Sequence, residues 1–405
     1  MSGDDEGSAY AAALSGLPGM GPATLVSLLG AWTPKETWNR VGAGSLTRPD
    51  RRGDRLRAQR TWALPGLEGP PPEKVPSWAD TARRVDPQRW WEPIAARGIQ
   101  VTWRGASTYP AALTSDPEPP GVLFWRGALD RLDLPCVAIV GTRQASPDGR
   151  AVAFELGRDL SAAGICVVSG LALGIDGAAH GGVLSVDPGA EAAGPVGVAA
   201  SGVDVPYPRS HAVLWEKVAI AGAIISETPP GRPAQAWRFP CRNRLIAGLV
   251  RMVVVVESHA GGGSLITVEQ AMARGIDVRV VPGPVHSSAS AGSNQLLYDG
   301  AGPVRTAQDV LDGLGMVLPS PPSQRTAGAR PGKSGPVPGD VAVSPAESIA
   351  RAVLLVTGWR PTSLHQIVER SGLPVARVMA ALGALEDAGC VAREGDWWVR
   401  RRTRS

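Results

Sequence analysis

Two stretches decide the fold: Val137-Ala138-Ile139-Val140-Gly141-Thr142-Arg143 and Ile165-Cys166-Val167-Val168-Ser169-Gly170-Leu171-Ala172. Each opens with four apolar residues in a row. A strand buried on both faces reads that way, whereas a half-exposed strand alternates. Gly149 to Ala163, between them, reads as a helix, and a second helix follows around Ile175 to Val183. Val196 to Ala200, Ala223 to Ile225, Met252 to Val256 and Val278 to Val281 supply further strands. Strands alternating with helices imply right-handed crossovers and a parallel α/β sheet covered on both faces. Such sheets bind ligands at the carboxyl ends of their strands.

Three loops sit at those ends. Gly141-Thr142-Arg143 offers backbone N–H groups and a guanidinium fork. Ser169-Gly170-Leu171-Ala172-Leu173-Gly174-Ile175-Asp176 is followed by His180. Glu257 to Thr267 holds Gly261-Gly262-Gly263-Ser264 before a helix, where free N–H groups and the helix dipole favour an anion. Any one of them reads equally as a tight turn. Together, at one end of one sheet, they predict a phosphate-lined rim. Arg242-Asn243-Arg244 follows Phe239-Pro240, and Pro240 is expected to open a helix with both arginines in its first turn. Cations there oppose the dipole, so either an external anion binds them or they pair internally with Glu227 or Asp204.

Several chemistries lack their signatures. No GxGxxG follows the first strand, and no GxxxxGK[ST] or GxSxG occurs. His180, His211, His259, His286 and His365 never stand at metal-ligand spacing, and the four cysteines form no CxxC pair, so neither a metal site nor a cofactor is expected. No apolar run approaches a membrane span. The polar start Met1-Ser2-Gly3-Asp4-Asp5-Glu6 reads as no secretory signal, so a cytoplasmic protein is expected. The net charge of the 405 residues is only +4, and residues 136–310 sum to −1. A nucleic-acid binder with this balance needs placed arginines rather than bulk charge.

Outside 96–315 the chain changes character. Residues 8–45 read as a small helical domain in which Leu17-Pro18-Gly19-Met20-Gly21 fits a helix-hairpin-helix turn. Residues 46–95 are charged and Pro-rich, with Pro70-Pro71-Pro72, and read as a loop-like connector. Six prolines and four glycines make 319–344 a disordered linker by composition. Residues 345–402 read as a winged helix: Ala346 to Val356, an N-cap at Ser363 before Leu364 to Val368, Val375 to Ala388, and a wing from Cys390 to Arg402. Its third helix sets Arg377 beside Glu386 and Asp387, so it is not strongly basic. A protein-interaction or auxiliary DNA role is expected, and Arg400, Arg401, Arg402 and Arg404 form a basic tail that either steers DNA or stays solvated.

The ordered motifs resemble the DprA (Smf) family of DNA-processing proteins. They are Tyr109-Pro110, Pro119-Pro120-Gly121-Val122-Leu123-Phe124, Val137 to Arg143, Val168 to Ala172, Gly174-Ile175-Asp176, Ala179-His180, Gly202-Val203-Asp204, Tyr207-Pro208, Ile225-Ser226-Glu227, Phe239-Pro240, Arg242 to Arg244, Ile246 to Leu249, Gly263 to Thr267, Pro282-Gly283, Asn294 and Gly300-Ala301. The resemblance covers roughly residues 100–310. It implies an extended Rossmann-like domain that dimerises, binds and protects single-stranded DNA, and helps load RecA during natural transformation, without enzymatic activity. It also implies that Arg143 binds phosphate, that Arg209 stands where the family has a lysine, that Arg242, Asn243 and Arg244 line the pocket, and that Ser169 and Gly170 form its floor. Gly141, Thr142, Gly262, Gly263 and Ser264 complete the expected site.

Two features depart from the family pattern. Gly262-Gly263-Ser264-Leu265 replaces the usual Ser-Gly-Ser-Leu, and Val186 to Gly194 looks inserted. The Gly-Gly loop with Glu269 also resembles phosphoribohydrolases of the same fold, which release a base from a nucleoside monophosphate. In that alternative Arg143, Glu257 and Glu269 are the catalytic candidates. A third alternative is a duplex-specific regulator acting through the winged helix.

Overall fold

A computed structural model describes residues 3–46, 74–187, 192–316, 345–357, 362–394 and 397–400. The chain divides into two compact units, Met1–Pro322 and Ser323–Ser405. The first unit is built on a nine-stranded sheet. Its strands are β1 (Gln100–Trp103), β2 (Val122–Gly127), β3 (Cys136–Val140), β4 (Cys166–Ser169), β5 (Pro195–Val198), β6 (Ala223–Ser226), β7 (Met252–Val255), β8 (Asp277–Val280) and β9 (Gly302–Pro303). The spatial order is β1-β2-β6-β5-β4-β3-β7-β8-β9. β3 to β9 run parallel to their neighbours, while β2 pairs antiparallel with both β1 and β6. All six strands expected from apolar runs are present. The β1–β2 pair is an addition to the expected parallel sheet.

The apolar runs are buried because both faces are covered. Val137, Ile139 and Val167 point to one face, against α6 (Pro147–Ala162) and α7 (Ile175–Val183). Ala138, Val140 and Val168 point to the other, against α9 (Arg238–Gly248) and α10 (Gly263–Met272). Each large aliphatic side chain so buried contributes roughly 1.5–3 kcal/mol. α6 and α7 lie close enough that a Cβ on Gly157 would collide with the Ala179 carbonyl.

The amino-terminal helices are not a separate domain. α1 (Gly3–Ser15), α2 (Pro22–Ala31) and α3 (Pro34–Gly42) share one apolar core with Phe124, Ile224 and Trp215, the last on α8 (Ala212–Ala221). The connector reading also needs correction. Residues 75–95 form α4 (Val75–Arg84) and α5 (Pro87–Ala95), with Trp78 and Trp91 buried in that same core. The Trp78 indole N–H donates to the Pro18 carbonyl at 2.8 Å, tying α4 to the hairpin turn between α1 and α2. The rest of the connector, 47–73, lies outside the described residues, as do the linker at 319–344 and residues 188–191 of the segment read as inserted. Two more helices, α11 (Ala291–Tyr298) and α12 (Ala307–Gly313), close the sheet near β8 and β9.

The second unit is a winged helix: α13 (Pro345–Val356), α14 (Leu364–Ser371), α15 (Val375–Asp387) and a sheet of β10 (Thr362–Ser363), β12 (Trp397–Arg400) and β11 (Val391–Glu394), in that order. Ser363 caps α14, accepting from the Gln366 N–H, and Gln366 reciprocates. Val353, Ile367, Val378, Leu382 and Trp398 form its core. Trp397 is exposed. Arg401, Arg402 and Arg404 lie outside the described residues. No helix among the described residues is long and apolar enough to cross a membrane.

Candidate functional site

From β3 the chain winds outward through β4, β5 and β6, then returns to place β7 on the other side of β3. The loops leaving β3 and β7 therefore diverge and open a crevice at the carboxyl ends of the sheet, where open α/β sheets take their ligands. The crevice is a cavity of about 480 Å³. Arg143 comes from the β3 loop, Asp176 from the start of α7, Phe239, Arg242 and Asn243 from α9, and Gly262 to Ser264 from the start of α10.

Glu257, at the end of β7, holds this crevice open. Its main-chain carbonyl accepts from the Thr142 N–H at 2.7 Å. Its carboxylate accepts from the Ser146 N–H at 2.9 Å and the Ser146 hydroxyl at 2.6 Å. Ser146 in turn caps α6 through the Gly149 N–H. One residue thus fixes both the first loop and the helix that follows it.

The second loop is shaped by Gly170 and Leu171. Leu171 is buried with φ of 58°, a left-handed conformation that costs an L-residue about 1–2 kcal/mol. The turn aims the Gly170 N–H at the Asp176 carboxylate, 3.0 Å away. A Cβ on Gly170 would collide with the Arg242 guanidinium and approach Asp176 to 2.7 Å. Glycine is therefore required here for an arginine rather than for a backbone–phosphate approach. Burial raises the Asp176 pKa despite the attraction of Arg242. Burial also lowers that of Arg242, which is 7 % exposed and donates to the Val198 carbonyl at 3.1 Å. Its Nε has no hydrogen-bond partner among the described residues.

Arg143 is the contrasting cation. It is exposed, forms no ion pair among the described residues, and lies 5.0 Å over the Phe239 ring. Opposite it, α10 begins at Gly263 with Gly262 as an uncapped N-cap, and a Cβ on Gly263 would meet nothing within 4 Å. Asn243 ties the two helices together by donating to the Gly263 carbonyl at 3.4 Å.

Several expected roles change. α9 starts at Arg238, so Arg242 and Arg244 lie in its second turn, not its first. Arg244 takes the internal alternative: its Nη2 donates to both Glu227 carboxylate oxygens, at 2.7 and 2.8 Å, with both side chains about nine-tenths buried. Asp204 is paired with Arg97 at 3.1 Å. Ser169 is fully buried and donates to the Ile139 carbonyl at 2.7 Å, so it supports the loop without flooring the cavity. The Thr142 and Gly170 N–H groups are already bonded within the protein. Gly141 is small because a Cβ there would sit 2.5 Å from Ile175. Arg209 is exposed on a short 3-10 turn beside Tyr207 and does not line the crevice. Neither Glu257 nor Glu269 lines it either, and Glu269 is exposed on α10.

Asp176 and Phe239 belong to the crevice although the sequence reading left them out of the site. Asp176 had a signal, since a carboxylate at the first turn after a Gly-rich strand end can hold loop N–H groups. Two further cavities adjoin. One, of about 80 Å³, lies between Arg143, Tyr207 and Phe239. The other, of about 630 Å³, lies on the opposite side of Arg242, which lines all three.

Comparison with known proteins agrees with this architecture. A family model described as DNA recombination-mediator protein A matches residues 100–315, and one described as the DprA winged helix domain matches residues 338–396. A DNA processing protein DprA of Mycobacterium tuberculosis is 38% identical over 275 residues, which span 67% of this chain and 66% of that relative, just under two thirds of its length. Protein Smf of Synechocystis is 30% identical over 368 residues, covering 85% of this chain and 90% of the relative. The X-ray structure of DNA processing protein A from Streptococcus pneumoniae superposes with a TM-score of 0.57 at 28% identity, covering 75% of this chain and 95% of that one.

Proposed function

The chain belongs to the DNA recombination-mediator protein A family, and on that premise we propose that it binds single-stranded DNA in the switch-point crevice, protects it and passes it to RecA during transformation. One observation carries the reading. An unpaired exposed arginine, Arg143, and a deeply buried one, Arg242, converge with the open start of α10 on one cavity, in a region whose formal charge is otherwise slightly negative.

In this reading the strand's phosphates sit against Arg143 and the first N–H groups of α10, including those of Gly263 and Ser264. Arg242 supplies positive potential from below, and Asn243 keeps the two helix ends in register. Arg209 steers the strand from the rim. No contact in this arrangement reads a base edge, so binding is independent of sequence and weakens with salt. The chemistry needed is binding, not bond cleavage. RecA and a second copy of the chain are the protein partners of this reading.

Titration of labelled oligo-dT across a salt series tests it. Arg143→Ala should lower affinity about tenfold or more, the scale of one charge-assisted hydrogen bond in a shielded site. It should also flatten the salt dependence by about 0.7 in log–log slope for each phosphate that is no longer neutralised. Unchanged affinity and slope would overturn the proposed site. RecA-filament assembly on the same oligonucleotide, with and without the protein, tests the loading step.

A further inference from the structure

A second cavity, of about 630 Å³, is distinct from the switch-point crevice. It lies between the hairpin turn joining α1 to α2 and the segment that leads into α9. Its volume falls within the ~300–1,000 Å³ of ligand-binding pockets. The acidic residue on its wall, Glu227, is already neutralised by Arg244. The cations on its wall are not. Arg232 is exposed, and neither it nor Arg238 makes an ion pair among the described residues. Arg238 is held by the Thr228 hydroxyl, to which it donates at 2.7 Å. Burial and then the nearby Arg232 charge lower the Arg238 pKa, as expected for two cations facing the same space.

An aromatic ring stands beside them. Trp237 is 51% exposed. Its indole N–H donates to the Gln235 side chain at 2.9 Å, and the Arg238 guanidinium lies 4.6 Å from the ring centroid. The ring is thus fixed in place and polarised while half of it stays open. Arginines that lack counter-ions, next to an anchored exposed indole, suit alternating phosphates and bases. The cavity is also continuous with the first site. It shares Ala199, Ala200 and Arg242 with the 80 Å³ cavity, which in turn shares Arg143, Phe239 and Arg242 with the crevice.

We propose that this cavity is a second subsite for the same single strand, with Arg232 and Arg238 on its phosphates and Trp237 stacked on a base. This rests on the proposed single-strand reading and extends it: the strand crosses the rim at Tyr207 and Phe239 and continues toward the hairpin turn. The amino-terminal helices, by forming the far wall, then lengthen the binding track without contacting the first crevice.

The test uses the full chain and oligo-dT of roughly 4 and roughly 16 nucleotides, the span of site sizes of single-strand-binding OB folds. Wild-type protein should bind the longer strand much more tightly. Arg232→Ala with Arg238→Ala should keep the short-strand affinity and lose about tenfold or more of the long-strand gain. Trp237→Ala should lose part of that gain, and so should Arg232→Ala alone, whose exposed side chain takes no part in the core. Equal long-strand affinity in these variants, or equal losses at both lengths, would overturn the second subsite. If Arg143→Ala leaves short-strand binding intact, the first site fails instead, and the two failures are distinct.

Discussion

Arg242 and Arg244 stand two residues apart on one helix and have opposite fates. The Arg242 side of α9 faces three cavities, with one buried carboxylate, Asp176, nearby. The Arg244 side faces β6 and is closed by Glu227 at 2.7 Å. Residues at i and i+2 on a helix point away from each other, so a pair that looks like one motif in the sequence serves two purposes. One arginine leaves positive potential for a ligand, and the other fastens the helix to the end of a strand. The difference between the two regions is a direct ion pair: Glu227 bonds Arg244, whereas Asp176 accepts from the Gly170 N–H and attracts Arg242 without bonding it among the described residues.

The largest expected effect falls on the closed side. Glu227→Ala leaves the Arg244 guanidinium buried and uncompensated, which costs about 3–5 kcal/mol. Urea unfolding should show that loss, while oligo-dT binding of the folded fraction stays near wild type. A stable Glu227→Ala protein would erase the distinction between the two sides.

The open side carries its own stability signature. His180 is fully buried near Arg242, and burial lowers its pKa to about 4. An unfolded histidine protonates near 6.5. Between these values the unfolded state binds more protons, so stability is complete above about pH 6.5 and falls as the pH drops toward 4. The loss approaches roughly 3 kcal/mol. Chemical denaturation at several pH values should show this slope, and His180→Leu should flatten it. A wild-type profile that is flat over that window would contradict the buried neutral histidine.

The smallest effect should come from the rim. Arg209→Ala removes an exposed charge outside the cavities. It should change oligo-dT affinity only a few-fold, mostly through the association rate and at low salt. A loss as large as that from Arg143→Ala would move the site outward and sharpen where the strand enters.

The sequence made the sheet legible where physics leaves one solution. Val137 to Val140 and Met252 to Val255 are continuous apolar runs because both their faces are covered. The same logic located the strand-end loops. It failed where composition misleads. Pro-rich, Arg-rich residues around α4 and α5 read as a connector, yet Trp78 and Trp91 bury themselves and bring the helices with them. β1 was missed because a four-residue edge strand carries little periodicity; β2 was missed although Val122 to Trp125 is a continuous buried apolar run like that of β3. Within the site, the residue types were legible but their duties were not. Glu227 lies 17 residues from Arg244 and Ser146 lies 111 from Glu257, so neither pairing is visible along the chain. Gly170 read as a phosphate contact, whereas it makes room for Arg242. The cavity beneath the hairpin turn draws on residues near 20 and near 235, and nothing local announces it.

The central claim is that the Arg143 and Arg242 face, not the Arg244 face, binds the strand. It is tested most directly by salt titration of oligo-dT binding to two variants. One is Arg143→Ala. The other is Glu227→Leu with Arg244→Met, which replaces the internal pair by apolar groups of similar size. Arg143→Ala should bind about tenfold or more weakly and with a shallower salt slope. The paired replacement should bind like wild type, since exchanging a buried ion pair for apolar groups is often neutral for the fold. Wild-type binding by Arg143→Ala, together with a flattened slope in the paired replacement, would contradict the account.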